Sequence, residues 1–134
     1  MLQSDLYTWL TTNAPVVALF PGGVHHQSLP QESISWPSLT FFQVSRIEIA
    51  EDMEQPNDAK MDQASYQFDV MADTSQAAVS AAESFLSIFR NFRGTMSATR
   101  IQHVDLSSIA HLEERRGDKL RRRVSMDFSI IFEV

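Results

Sequence analysis

The sequence predicts an α+β domain: an antiparallel four-stranded (or slightly larger) sheet with one long helix packed on it, a short N-terminal helix, and two long hairpin loops. Three observations lead there. From Tyr66 to Val70 the residues alternate, with Tyr66, Phe68 and Val70 on one face and Gln67 and Asp69 on the other, the period of a half-buried strand. The period then changes: Ala78, Ala81, Ala82, Phe85, Ile88 and Phe89 recur at helical spacing and make one apolar stripe. At the far end Val124, Met126, Phe128, Ile130, Phe132 and Val134 alternate with Ser125, Asp127, Ser129, Ile131 and Glu133, the cleanest strand pattern in the chain.

The remaining elements follow in order. Leu2, Leu6, Trp9 and Leu10 share one face of a helix over Leu2–Thr12, with Ser4 and Asp5 in its first turn and Asn13-Ala14-Pro15 as its stop. Val16–Phe20 is a brief apolar run turned by Pro21-Gly22-Gly23, and Val24–Pro37, with two prolines and no period, reads as irregular coil. Leu39–Ile49 reads as a strand. Phe41 and Phe42 are adjacent there and point to opposite faces, which implies burial on both sides or a neighbouring subunit on one. Ala50–Gln63 is an acidic, polar excursion before the strand Ala64–Met71. Asp73 is the expected cap of the long helix, with Gln76 in the capping-box position. After Arg93-Gly94, Thr99–Leu106 offers another strand with Ile101 and His103 opposing Gln102 and Val104, and Ser107–Lys119 is a second polar excursion.

Composition bounds the function. The 134 residues predict one domain over 1–134, and 43% hydrophobic with 21% charged residues describe an ordinary globular chain. No apolar run approaches the roughly 18–20 residues that cross a bilayer, and no basic, apolar leader opens the chain, so no membrane partner is expected. The absence of cysteine removes disulfides, thiolate nucleophiles and cysteine-ligated zinc. A net charge of −6 argues against a nucleic-acid footprint over the whole domain.

Motifs for chemistry are missing. No serine sits in a G-x-S-x-G or S-x-x-K setting, and the four glycines cannot compose a phosphate-binding loop. His25 and His26 are adjacent and face apart on an extended chain, while His103 and His111 lack metal-ligand spacing. The carboxylates Glu48, Glu51, Asp52, Glu54, Asp58 and Asp62 have no glycine among them to make a calcium loop. The basic run Arg115, Arg116, Lys119, Arg121, Arg122 and Arg123 is interrupted by Glu113, Glu114 and Asp118 and carries no aromatic residues for base stacking. No catalytic, cofactor or metal residues are therefore assigned.

The order of elements, with YQFDVMADTSQAAVSAAESF at residues 66–85 and a closing RRRVSMDFSIIFE at 121–133, resembles the tail terminator (tail completion, or head–tail joining) proteins of long-tailed bacteriophages. In that family a strand ending in a "D-V-W-A" type sequence enters a helix through small polar residues. Asp69-Val70-Met71-Ala72-Asp73-Thr74 fills that place here, with methionine where an aromatic is frequent. The resemblance implies a non-enzymatic subunit without cofactors, assembled in the host bacterial cytoplasm into a hexameric ring and located in the virion tail. Its implied partners are further copies of itself, the tail-tube protein, a head-completion or connector protein, and genomic DNA only in transit through the lumen. The resemblance and the charge pattern together nominate an interface of Glu51, Asp52, Glu54 and Asp58 on the acidic excursion with Arg115, Arg116 and Lys119 on the basic one. Two other classes compete: a small-molecule-binding α+β regulatory module, and a small hydrolase or isomerase with His103 or Asp69 as its base.

Overall fold

In the computed structural model, residues 2–26, 36–48, 61–116 and 119–133 are described, with 114–116 and 119–121 described by their backbone. Helix α1 spans Leu2–Thr12 as expected, burying Leu2, Leu6 and Leu10. Asn13 does more than end it. Its side chain accepts a hydrogen bond from the Val16 amide and caps α2, Ala14–Leu19, in which Pro15 occupies the first turn. The apolar run after Asn13 is thus a second helix, too short to have displayed a period.

Strand β1 (Val24–His26) follows the Pro21-Gly22 turn and pairs in parallel with the start of β2 (Ser38–Glu48). Strand β3 is Met61–Ala72, and α3 is Ser75–Phe89. Thr74, not Asp73, is the cap: its hydroxyl accepts from the Ala77 amide at 3.1 Å. Strand β4 (Gly94–Met96) turns through Ser97 and Ala98 into β5 (Thr99–Arg116), which pairs along its length with β6 (Lys119–Glu133).

The strand order is β1-β2-β3-β6-β5-β4. This corrects the expected fold. The sheet is six-stranded, mixed because β1 runs parallel to β2, and curled into a half-barrel. It is not a four-stranded antiparallel sheet carrying one long helix. Strands β1 and β4 are three residues each, too short for alternation to show. The second expected loop, Ser107–Lys119, is also strand. In the β5–β6 ladder Glu114 occupies the rung opposite Arg121, and Glu113 stands opposite Arg122 and forms an ion pair with it, so opposite charges hold a rung where apolar alternation is not needed. Of the first expected loop, residues 61–63 belong to β3, and residues 49–60 lie outside the described residues.

The helices pack on one face of the sheet. Phe68 on β3 and Phe128 on β6 meet Phe85 and Phe89 of α3; the ring centroids of Phe68 and Phe89 lie 5.1 Å apart and those of Phe89 and Phe128 5.0 Å apart. Ala78, Ala81 and Ala82 let the first half of α3 approach the sheet closely. Each buried phenylalanine contributes about 2–3 kcal/mol, against about 1 kcal/mol for the Thr74 cap, so packing sets where this helix lies and the cap sets where it starts. Asp5 of α1 is buried against β5, where the Thr99 hydroxyl donates to its carboxylate and holds its pKa below the ordinary value.

Candidate assembly surface

The two sides of the sheet differ. Leu39, Phe41, Ala64, Tyr66, Phe68 and Phe128 face the helices, whereas the residues between them face away from α1, α2 and α3. That second face is polar and cross-bonded. Gln63 donates to Ser129 at 2.5 Å, Ser108 donates to Asp127 at 2.8 Å, and Arg123 pairs with Asp69 at 3.0 Å. Among the residues whose side chains are described, Asp69, Asp105, Asp127, Glu133, Arg100 and Arg123 lie on it.

Among the described residues, both edges of the sheet are open over most of their length. Strand β1 covers β2 at Leu39–Phe41, and strand β4 covers β5 at Thr99–Ile101. Beyond those rungs Gln43–Glu48 and Ser107–Glu113 are uninterrupted exposed stretches of strand. Val44 and Ile47 are both 58% exposed on the first, and Ile109 and Leu112 are 37% and 47% exposed on the second. Sequence reasoning named none of these four. The signal was available in the unexplained apolar residues of Val44-Ser45-Arg46-Ile47, but a strand's edge position is set by partners distant in sequence.

Bulges shape both edge strands. Val44 is the extra residue of β2 between the rungs Gln43–Tyr66 and Ser45–Ser65, and β5 carries irregularities at Ile101/His103 and Leu106/Ser108. The first β5 bulge explains why Ile101 and Val104 are both buried while His103 is exposed, against the simple alternation expected. Near the open end of β2, Arg46 pairs with Asp62 and lies 5.1 Å over the Phe132 ring.

The nominated interface residues are placed as follows. Glu51, Asp52, Glu54 and Asp58 lie outside the described residues. Arg115, Arg116 and Lys119 are at the end of the β5–β6 hairpin, where Arg116 stands opposite Lys119. The segment 49–60 joins the end of β2 to the start of β3, whereas the hairpin end lies past the last rung of β3, Ala72–Arg122. The two charged regions are therefore attached at opposite ends of a strand roughly 36 Å long, and the fold does not bring their attachment points together within one chain.

No catalytic pair assembles from the residues considered. Asp69 stands opposite Ser125 and His103 opposite Ile131, rows separated by roughly 20 Å along the strands. His25 bonds the Gly22 carbonyl at 2.8 Å, and His26 faces Gln3 at 3.4 Å, so the adjacent histidines do point apart. Among the described residues no three histidine or carboxylate groups gather to hold a metal. Two open clefts are present. One, of about 140 Å³, lies between the start of α3 and the hairpin at His111 and Arg122; the other, of about 520 Å³, lies among Gln3, His26, Phe42 and Gln43. Among the described residues no helix is long and apolar enough to cross a membrane.

No protein-family model matches the chain, and no curated protein sequence does. Among solved structures, the fold is similar to a chain of the "virion of native gene transfer agent (GTA) particle": TM-score 0.76 at 16% identity, over 99% of this chain and 95% of that one. A second solved chain gives a TM-score of 0.51 at 16% identity, over 98% of this chain and 90% of its own. At that identity the likeness is one of fold, and it extends across the whole chain.

Proposed function

We propose that this protein is a structural subunit of a phage-like particle that caps the tail tube as a hexameric ring, ends tube polymerisation and offers the surface to which the head joins. One observation carries the reading: the fold likeness to a virion chain covers 99% of this chain and 95% of that one, so it is a likeness of fold and not of a shared motif. The terminator-like order of elements around Asp69–Thr74 supports the finer assignment. The partners proposed are further copies of this chain, the tail-tube protein and a head connector, with DNA in passage. The role is mechanical, in the virion tail, and calls for no cofactor.

The two faces of the sheet suit such a ring. A lumen through which DNA slides should not grip phosphates, and the face away from the helices carries Asp69, Asp105, Asp127 and Glu133 against Arg100 and Arg123 among the residues whose side chains are described. Light scattering and negative-stain microscopy of the purified full chain test the reading. Rings of about six copies that arrest elongation of a tail tube support it; a chain that stays monomeric at all concentrations and leaves tube length unchanged overturns it. Reversing Arg115 and Arg116 to glutamate tests the nominated hairpin, with weaker ring or tube binding as the expected result.

A further inference from the structure

We infer that successive copies join edge to edge, the open run of β2 in one copy pairing antiparallel with the open run of β5 in the next, so that the sheets merge into one continuous sheet around the ring. The inference rests on the ring-subunit reading and names the surface by which the ring closes.

Both edges can take a further strand. An exposed strand edge presents unpaired N–H and C=O groups, which proteins guard with lysine and other charges, proline, bulges or very short strands; here the guards are the bulge at Val44 and the charges of Arg46, Glu48 and Glu113. Gln43–Glu48 and Ser107–Glu113 contain no lysine and no proline, and each belongs to a strand of 11 residues or more. Four of the six large apolar side chains exposed among the described residues lie on these two runs. Small residues at Ser107, Ser108 and Ala110 leave the β5 backbone accessible.

Topology makes a second copy the fitting occupant. Strand β2 is antiparallel to β3, β3 to β6, and β6 to β5, so β2 and β5 run in opposite directions. A neighbour generated by rotation about an axis roughly along the strands keeps its directions and its inward face. Its β5 therefore meets β2 antiparallel, and one repeated contact satisfies both edges, as a closed heterologous ring demands.

Side chains fix the register. Ile47 (opposite Gln63) and Leu112 (opposite Arg123) lie on the face away from the helices; Arg46, Glu48, His111 and Glu113 lie on the other. Setting Ile47 opposite Leu112 buries two exposed apolar groups against each other and joins Arg46–Glu48 to His111–Glu113, with Arg46 opposite Glu113 and Glu48 opposite His111. Opposite charges then meet at the first of these rungs, and a carboxylate meets an imidazole N–H donor at the other. Ile47 shares its own row with His103, about nine residues before Leu112, so this register staggers neighbours by roughly 30 Å. Such a stagger tilts the strands against the ring axis, as closing any sheet requires.

The test uses three variants of the full chain, which has no native cysteine. Ile47→Lys blocks the β2 edge and Leu112→Lys the β5 edge; both positions are exposed, so the circular dichroism of each variant should match the parent and its unfolding midpoint should match that of the parent diluted until it dissociates. Each variant alone should lose the ring and run as a monomer by light scattering, and the two mixed should give a one-to-one dimer through their remaining good edges. The double variant Ile47→Cys/Leu112→Cys should oxidise to covalently linked rings, at least several-fold faster than Ile47→Cys/Ala110→Cys. A ring that persists in both lysine variants, with no covalent linking in the cysteine pair, overturns the edge assignment and leaves the ring-subunit reading standing. A dimer formed by either lysine variant alone shows edge pairing of like with like and overturns the heterologous contact. A parent chain that is monomeric at every concentration overturns the ring reading itself.

Discussion

Phe68 and Ile47 belong to neighbouring strands of one ladder, yet one is fully buried and the other 58% exposed. The difference is position in the sheet. Where α3 lies across β3 and β6, every second residue meets phenylalanine or alanine, and alternation reports which face is inside. Where β2 and β5 outrun the three-residue strands beside them, the edge is open among the described residues, and the apolar side chains at Val44, Ile47, Ile109 and Leu112 stay exposed there. Alternation therefore reports the covered part of the sheet and is silent about its edges.

The largest expected effect lies on the covered side. Phe68 touches Phe41, Tyr66, Phe85, Phe89 and Phe128 by ring contacts, so Phe68→Ala leaves a cavity that five other rings cannot readily collapse to fill. A loss of about 3–5 kcal/mol is expected in urea unfolding. A loss under about 1 kcal/mol would mean that the helix is not seated on β3 as described.

Tyr66 sharpens the comparison at the border of the two regions. Its ring is fully buried, its hydroxyl donates to Gln43 at 3.3 Å, and burial pushes its pKa up to about 12, with the Arg46 charge pulling the other way. An unfolded tyrosine ionises near pH 10, so the folded chain holds the proton more tightly. This stability is fully present below pH 10 and is lost as pH rises from 10 toward 12, by about 2–3 kcal/mol in all. Tyr66→Phe should flatten that alkaline limb in unfolding measured between pH 9 and 12. An unchanged limb would place the titrating group elsewhere.

How legible each part was in sequence follows from the same contrast. α1, β3, α3 and β6 were readable because each buries one face and so repeats at 3.6 or 2 residues. β1 and β4 were not, since three residues carry no period, and the parallel pairing of β1 with β2 leaves no local trace. The Val16–Phe20 run shows only as a brief apolar run, with no element type, because its helix is six residues long. The hairpin around Glu113 and Arg122 was read as a loop because charge pairing, not apolar alternation, holds a two-stranded arm. Among candidate surface residues, the charged ones were visible by composition. The open edges were not, because an edge is defined by which strand is absent beside it.

A smaller effect separates the two possible caps of α3. The Thr74 hydroxyl accepts from the Ala77 amide, so Thr74→Ala should cost about 1 kcal/mol. Asp73→Ala removes no cap bond and should cost a few tenths at most, by its distance from the helix's positive end. Thermal unfolding of both variants ranks them, and the reverse ranking would return the cap to Asp73.

The smallest expected effect is on the open edge, and its smallness is the point. Val44 is a bulge residue, 58% exposed, with none of the ring or hydrogen-bond contacts that fix Phe68. In a dilute, dissociated subunit Val44→Thr keeps the β-branched shape that suits a strand and removes little buried apolar area, so stability should change by less than about 0.5 kcal/mol. A change near 2 kcal/mol under those conditions would show that the chain itself covers Val44, through residues beyond those described. A change near zero in the subunit, with a raised concentration for half-assembly by light scattering, would assign the apolar character of this edge to assembly. In that case the β-branched shape, which Val44→Thr keeps, serves the strand, and the extra apolar surface of valine serves the contact between subunits.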